Sequence, residues 1–124
     1  MTIRLTITDR TGRATILSAT LNTGPAAADF AGLLPLTLFM EDLFWREKYA
    51  GLPRPLAHDD ARSFICEPGQ IVYWPPGPDL AIFYRRNGEP IPSPGVIVLG
   101  RVDGPVSALD VPGALSVVIE SAAL

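Results

Sequence analysis

Two residue types that bind metals or form cross-links are almost absent from this sequence. In 124 residues there are one cysteine, Cys66, and one histidine, His58. A single cysteine forms no internal disulfide, which agrees with the cytoplasmic location that we expect from the lack of a secretory signal. A structural zinc site takes four ligands, mostly Cys and His, so we expect no metal at His58-Asp59-Asp60 and no cofactor. Those three residues are predicted to form a solvated turn, and Cys66 to pack in the core.

Positive charge and long apolar runs are also scarce. Ten Lys and Arg side chains are spread among 13 Asp and Glu, for a net charge of −3, and no basic stripe is present to neutralise a phosphate backbone. The longest nearly apolar stretch, residues 30–40, is well short of the roughly 18 residues that span a bilayer. Residues 1–10 alternate polar and apolar side chains, unlike a secretory signal. Nucleic-acid binding and membrane insertion are therefore not expected.

Apolar residues, prolines and glycines are abundant. The chain is 48% hydrophobic, and its 13 prolines and 11 glycines lie between short apolar runs. This composition favours a folded chain with frequent turns between short strands over a disordered one. A length of 124 residues is typical of one domain, so residues 1–124 are predicted to form a single domain.

The N-terminal third predicts a hairpin, a helix and a further strand. Apolar and polar residues alternate near the N-terminus, as in a half-buried strand, and residues 2–20 are expected to form an antiparallel hairpin. Pro25 opens an alanine-rich segment, so we predict a short helix over residues 25–34 that ends at the next proline. Alternation resumes over residues 36–40, which indicates another strand.

The middle of the chain has no clear periodicity. Residues 41–60 combine charged residues, aromatic residues and prolines, and the segment is long enough to predict a functional or pocket-covering loop. Gly51 allows a turn and Pro53 restricts the chain that follows. We therefore expect the loop to dock on the rest of the domain, with the ring of Tyr49 as its anchor.

Short β-rich runs return after this segment. Residues 70–74 and 80–84 predict a second hairpin, and residues 96–99 and 115–120 predict two more strands. One helical turn is expected over residues 106–109. About seven or eight short strands, with turns roughly every 8 to 12 residues, favour a closed barrel or a sandwich.

Four segments of the chain resemble the cyclophilin-like family of small bacterial and archaeal proteins, and their order and spacing cover nearly the whole chain. The resemblance implies a mostly β fold, a closed antiparallel β-barrel of about eight strands with one or two short helices. It implies no particular activity, because the family has none that is well established and fold does not specify function. The segments are Phe30-Ala31-Gly32-Leu33-Leu34-Pro35-Leu36-Thr37, Arg46-Glu47-Lys48-Tyr49-Ala50-Gly51-Leu52-Pro53, Glu67-Pro68-Gly69-Gln70-Ile71-Val72-Tyr73-Trp74 and Leu80-Ala81-Ile82-Phe83-Tyr84.

A more distant resemblance connects the chain with true cyclophilins, which are peptidyl-prolyl isomerases. It rests on Pro68-Gly69 before a strand, on Phe83 in the next strand and on residues 98–102, whose sequence Val-Leu-Gly-Arg-Val is similar to the Val-Phe-Gly-Lys-Val of cyclophilins. The strand that would carry the cyclophilin catalytic arginine corresponds to residues 36–40, which contain no arginine. The pocket tryptophan, histidine and glutamine of cyclophilins are not matched either. We therefore expect no catalytic residue and little or no isomerase activity.

Aromatic residues near the central loop are the candidates for a binding site. Two aromatic rings share each face of the hairpin over residues 70–84, and a tyrosine next to charged residues can line the mouth of a pocket. The site is predicted at one end of the barrel, under the loop. Core packing of the rings and a salt-bridged lid are the alternative interpretations. The candidate ligand-binding residues are Phe39, Glu47, Tyr49, Tyr73 and Phe83.

Three functions stay open on this basis. The leading hypothesis is a non-enzymatic binding module for a small apolar or peptide-like ligand. The second is a peptidyl-prolyl isomerase with weak or lost activity, which only the fold-level resemblance and Phe83 favour. The third is an oligomeric building block, such as a homodimer, in which an apolar loop surface pairs with itself.

Overall fold

Eight strands close into an antiparallel barrel in the computed structural model, which describes residues 1–122. The strands are β1 Thr2–Thr8, β2 Ala14–Leu21, β3 Leu36–Leu43, β4 Glu47–Gly51, β5 Gln70–Trp74, β6 Asp79–Phe83, β7 Ile97–Val102 and β8 Leu115–Ser121. Around the barrel the strand order is β1, β2, β7, β5, β6, β4, β3 and β8, and β8 pairs with β1. The predicted mostly β fold and closed antiparallel barrel are confirmed.

The barrel interior is filled by apolar side chains that alternate with outward-facing residues along each strand. On β1 the inward residues are Ile3, Leu5 and Ile7, as the alternation predicted. Leu5 lies opposite Ile119 of β8, and Ile7 lies opposite Val117. Each of these aliphatic side chains is buried, and burial of one contributes about 1.5 to 3 kcal/mol to stability.

Helix α1, Pro25–Ala31, and the segment after β4 cover one end of the barrel. Phe30 of α1 is buried in the core. Asp29 accepts a hydrogen bond from Arg54 Nη1 at 2.8 Å and another from the N–H of Ala57 at 2.7 Å. The segment that follows β4 therefore docks on the barrel end, as predicted, but it is tied down through Asp29 and not through Tyr49.

Both short helical segments differ slightly from the prediction. Helix α1 has seven residues and ends at Ala31, because Gly32 caps it and its N–H donates to the carbonyl groups of Ala28 and Asp29. The predicted turn near residue 106 is a 3-10 turn over Ser107–Leu109. Among residues 1–122, no helix is long and apolar enough to cross a membrane.

The prediction of a loop over residues 41–60 is wrong in its first half. β3 continues to Leu43 and β4 begins at Glu47, so the two strands form a hairpin. The tight turn between them has Phe44 at φ 57° and Trp45 at φ 55°. Glycine, asparagine and aspartate are the usual residues in such a turn. Because none of them stands at these positions, the sequence carried no turn signal.

A buried charged cluster lies inside the barrel at the β3–β4 hairpin. Lys48 is fully buried, and its ammonium group donates to Asp42 Oδ1 at 3.1 Å and to the carbonyl oxygens of Val111 and Gly113 at 2.7 and 2.6 Å. The hydroxyl of Tyr84 donates to the same carboxylate. All the hydrogen bonds of this cluster are made within the chain, so it stabilises the fold and offers no free group to a ligand.

Candidate functional site

Three adjacent strands of the barrel, β4, β6 and β5, have buried residues on both faces. Their inward side chains belong to the barrel core. Their outward face is covered by the segments 60–66 and 86–96, which are joined by a bridge between Ser63 and Val96. A second, smaller core therefore forms outside the barrel wall. It consists of Cys66, Val72, Ala81, Phe83, Ile91 and Val96.

A cleft of about 300 Å³ opens beside this outer core. It lies between the outward face of β4 and β6, the β3–β4 turn and residues 91–96. We call it the outer-wall cleft. Most of its lining side chains are aromatic or aliphatic, and charged groups come from a few positions only. Its defining residues are Phe44, Glu47, Tyr49, Trp74, Asp79 and Ala81.

Strand register determines the layout of the cleft. Tyr49 of β4 lies opposite Ala81 of β6, and two positions further along Gly51 lies opposite Asp79. Ala81 carries only a methyl group, so space remains between the larger side chains on either side. Glu47 is on the same face as Gly51 and four residues away, which is roughly 13 Å at the rise of a strand. The Glu47 and Asp79 side chains therefore lie at opposite ends of the cleft.

One end of the cleft is formed by a buried ion pair. Arg46 and Glu47 are 7% and 6% exposed, and Arg46 Nε and Nη2 donate to Glu47 Oε1 at 3.0 and 2.6 Å. The Arg46 guanidinium also lies 5.1 Å from the centre of the Phe83 ring. Burial raises the pKa of the Glu47 carboxyl, and the neighbouring guanidinium only partly offsets this effect. Glu47 Oε1 is thus held by Arg46 at the edge of the cleft.

The other end of the cleft contains a carboxyl group with no partner. Asp79 is partly buried, and among residues 1–122 no hydrogen bond or neighbouring charge acts on its carboxylate. Burial raises the pKa of this group, and no neighbouring positive charge opposes the effect. A partly buried carboxylate of this kind is under-solvated, so a group that donates hydrogen bonds to it would be bound favourably.

Tyr49 forms the side wall between these two ends. Its hydroxyl is 3.4 Å from Glu41 Oε2. The negative charges of Glu41 and, more weakly, of Asp79 raise the pKa of the Tyr49 hydroxyl. The ring therefore lies within electrostatic reach of both carboxylates. Its place in β4, and not in a loop, follows from the β3–β4 hairpin.

The turn between β3 and β4 carries two exposed aromatic rings, and one of them is at the rim of the cleft. Phe44 and Trp45 are 69% and 60% exposed, and Phe44 lines the cleft directly. Both residues have the left-handed backbone conformation, which costs of order 1 kcal/mol or more for a bulky residue. The hairpin thus holds two apolar rings in water, that of Phe44 at the entrance of the cleft, in a conformation that most sequences avoid.

The structure separates the five predicted site residues. Glu47 and Tyr49 line the outer-wall cleft. Phe83 is fully buried in the outer core beside Arg46. Tyr73 faces the barrel interior, where its hydroxyl accepts a hydrogen bond from the N–H of Leu56 at 3.1 Å. Phe39 is 68% exposed and lies on the outside of β3, away from the cleft.

The predicted site at the barrel end is therefore not formed by these residues. In the β5–β6 pair Tyr73 lies opposite Leu80, so its ring shares the inward face with Leu80 and Ile82. Phe83 follows Ile82 by one position and faces outward. The two rings are on opposite sides of one wall and cannot bound a common pocket.

Four residues of the outer wall were not among the site residues predicted from the sequence. Trp74 and Ala81 could have been found from the alternation of the hairpin over residues 70–84, since both fall on the face opposite to Tyr73. Asp79 carried a weaker signal, as a carboxylate at the start of an apolar strand. Arg46 carried none, because its position depends on the unusual turn before it.

Cys66 and His58 do not contribute nucleophiles to the cleft. Burial raises the pKa of the Cys66 thiol to about 11, so the thiolate is scarce at neutral pH. This agrees with its predicted place in a core.

The His58 ring packs edge-on against Tyr73, 5.8 Å between centroids, and Asp60 accepts a hydrogen bond from the N–H of Ala26 in α1. His58-Asp59-Asp60 is therefore partly packed and not simply a solvated turn. Among residues 1–122, no three metal-binding side chains form a group that could hold an ion.

Comparison with known proteins supports the fold and leaves the activity open. No curated protein matches the chain. The solution structure of a hypothetical protein from Archaeoglobus fulgidus has the same fold, with a TM-score of 0.71 and 22% sequence identity over 97% of this chain and 95% of that chain. The model of the cyclophilin-like family matches residues 10–120. Because this match covers most of the chain, the protein belongs to the cyclophilin-like family.

Proposed function

We propose that this protein is a binding module that holds a small apolar or peptide-like molecule in the outer-wall cleft. The observation that carries the proposal is the cleft itself, a space of about 300 Å³ with mostly apolar walls and a carboxyl group at each end. Ligand sites typically have roughly this volume or more, apolar walls and a few polar groups that orient the ligand.

The exposed rim supports the same function. A ligand in the cleft would cover part of Phe44, and removal of apolar surface from water contributes roughly 25 cal/mol per Å². Residues in left-handed conformations tend to occur at sites where a ligand or partner uses them. The hairpin imposes the left-handed backbone of this turn, whereas the exposed aromatic ring of Phe44 at the cleft is explained by a binding role.

A variant whose larger side chain fills the floor of the cleft tests this function. Ala81→Leu adds a branched side chain between Tyr49 and the neighbouring strand, where it takes up the space that a ligand would occupy. The control is Ala14→Leu on β2, which is exposed and outside the cleft. A thermal-shift screen of metabolites and proline-containing peptides at millimolar concentration should yield compounds that raise the melting temperature of the wild type and of Ala14→Leu.

The Ala81→Leu variant should lose that response while its far-UV circular dichroism stays native. If no compound raises the melting temperature of the wild type, or if Ala81→Leu responds like the wild type, a binding function of this cleft is contradicted.

Isomerase activity is the second candidate, and one observation favours it. Arg46 lies beside Phe83, so the outer wall does bring an arginine next to the phenylalanine that the cyclophilin resemblance singled out. Its guanidinium has five N–H donors, and four hydrogen bonds already connect it to Glu47, Asn87 and Glu89. Few donors are left to stabilise a twisted peptide bond, so the binding function is the stronger proposal.

A further inference from the structure

We propose that the outer-wall cleft selects small organic amines, with the ammonium group held by Asp79 and the apolar body lying over Ala81. This inference rests on the proposed binding function and specifies its ligand class. It is carried by the strand register around Asp79, by the charges that face the cleft and by the size of the cleft.

Strand pairing surrounds Asp79 with the groups that recognise an ammonium ion. Trp74 of β5 lies directly opposite Asp79, and Tyr49 lies diagonally across on β4, two positions from Gly51. A cation at the Asp79 carboxylate would therefore lie close to one or two aromatic rings. Aromatic faces attract cations, so a carboxylate flanked by tryptophan and tyrosine binds ammonium groups better than either element alone.

The space beside Asp79 is open for such a group. Gly51 lies opposite Asp79 on β4 and has no side chain, and a Cβ atom at position 51 would lie 3.8 Å from Asp79 Oδ1. Any larger residue would cover this side of the carboxylate. The hydrogen bonds that the Asp79 oxygens lack within residues 1–122 can therefore be supplied by a ligand that approaches from the cleft.

The charges at the cleft favour a cation over an anion. Glu47 and Asp79 line it, and Glu41 lies against the hydroxyl of Tyr49. The positive group among its lining residues is Arg46, whose guanidinium is paired with Glu47. With three carboxyl groups and one guanidinium, the local field is negative, so an ammonium group is attracted and a carboxylate is repelled.

The size of the cleft favours a small molecule over a peptide. Its volume of about 300 Å³ is at the lower end of the range for ligand sites. An apolar body of one aromatic ring fills the floor over Ala81 and reaches the ring of Phe44 at the rim. We therefore assign the cleft to single-ring or short aliphatic amines and not to an extended chain.

Three probes with one ring and different end groups test the assignment. Phenethylamine, 2-phenylethanol and 3-phenylpropionate differ mainly in the charge of the end group at neutral pH. Dissociation constants are measured by titration of the amide and indole NMR signals, in which Trp74 reports directly. The wild type should bind the amine about three- to tenfold more tightly than the alcohol and the carboxylate most weakly, as expected for one partly buried charge pair.

The matched variants are Asp79→Asn and Asp59→Asn. Both remove one negative charge, but Asp59 is exposed and outside the cleft. Asp79→Asn should reduce the affinity for phenethylamine to that for 2-phenylethanol and leave the alcohol unchanged, whereas Asp59→Asn should behave like the wild type. Addition of salt should weaken the binding of the amine and not that of the alcohol.

The two proposals fail in different ways. If all three probes bind with equal affinity and shift Trp74, the cleft is a binding site but the preference for amines is overturned. The preference for amines is also overturned if Asp79→Asn still binds phenethylamine more tightly than 2-phenylethanol by the same factor as the wild type. If none of the probes shifts the signals of residues that line the cleft at tens of millimolar, both proposals are overturned.

Discussion

Removal of the buried ammonium group of Lys48 should destabilise the barrel strongly. Lys48→Met keeps an unbranched side chain of similar length in a site that is fully closed to solvent. It removes three hydrogen bonds, to Asp42 and to the carbonyl oxygens of Val111 and Gly113. It also removes the contact of the ammonium group with the Tyr84 ring, 5.4 Å from its centre.

The expected loss of stability follows from the polar groups that lose a hydrogen-bond donor in Lys48→Met. Two carbonyl oxygens near the barrel end lose their donor, and an unsatisfied buried polar group costs about 1 to 3 kcal/mol. Asp42 keeps the hydroxyl of Tyr84 and the N–H of Trp45, so its carboxylate is not left alone. Breaking a buried ion pair from one side typically costs about 3 to 5 kcal/mol. We therefore expect a loss of about 3 to 5 kcal/mol, a large part of the roughly 5 to 15 kcal/mol that stabilises a domain.

Equilibrium unfolding in urea at pH 7 measures this loss, because the midpoint shifts while the slope stays constant if only stability changes. Arg4→Met is the matched control. Arg4 pairs with Glu120 at 3.0 Å across two neighbouring strands, but the side chains are 47% and 37% exposed, so its removal should cost about 0 to 1 kcal/mol. If Lys48→Met loses no more stability than Arg4→Met, the statement that the buried Lys48 cluster stabilises the barrel is wrong.

Four further predictions concern other parts of the molecule. The hydrogen bonds from Arg54 and Ala57 lower the pKa of Asp29 to about 2, so its contribution to stability is full above about pH 4 and is lost as the pH falls toward 2. Asp29→Asn should therefore make the melting temperature depend less on pH over that range, and an unchanged dependence on pH would contradict this prediction. Cys66 should react with a thiol reagent at pH 8 only after urea unfolds the chain, because its thiol is buried and its pKa is raised; rapid labelling of the native protein would show that the outer core opens. Tyr49→Ala should lower the free energy of unfolding by about 1 to 2 kcal/mol, because the side chain is only partly buried and a fully buried ring would cost roughly 3 to 5 kcal/mol. A larger loss, measured by unfolding in urea, would support the predicted role of Tyr49 as an anchor. A protease-coupled assay should detect no acceleration of prolyl isomerisation, because the Arg46 donors are used within the chain; acceleration that is lost in Phe83→Ala, with the fold retained, would refute this.

Self-association stays a prediction. Phe39 and Ile16 are 68% and 66% exposed on the outside of the barrel. Sizing chromatography at increasing concentration distinguishes a monomeric binder from a homodimer, and Phe39→Ser should shift the equilibrium toward the monomer if β3 forms the interface.

The strands and their inward faces could be predicted from sequence because the signal is local. Alternation over Ile3 to Ile7 identified β1 and its core face, and the run at residues 70–84 identified the β5–β6 hairpin. In each case a period of two tells which side chains share a face. The turn between β3 and β4 could not be predicted, because Phe44 and Trp45 take a conformation that their own preferences oppose and that the two paired strands impose.

The chain sequence by itself thus determined that the protein is built of short strands, and the family resemblance implied that they close into a barrel. It placed Tyr73 and Phe83 in one site, whereas the strand register puts them on opposite faces of the wall. Only the tertiary structure decided which side chains line a cleft. Closure of the barrel makes its interior a packed core, so Tyr73 is a core residue and does not line a cleft. The folding of residues 60–66 and 86–96 over the outer wall creates the cleft. Glu47 and Asp79 lie at the two ends of one cleft because β4 pairs with β6, and pairing between strands distant in sequence has no local signal.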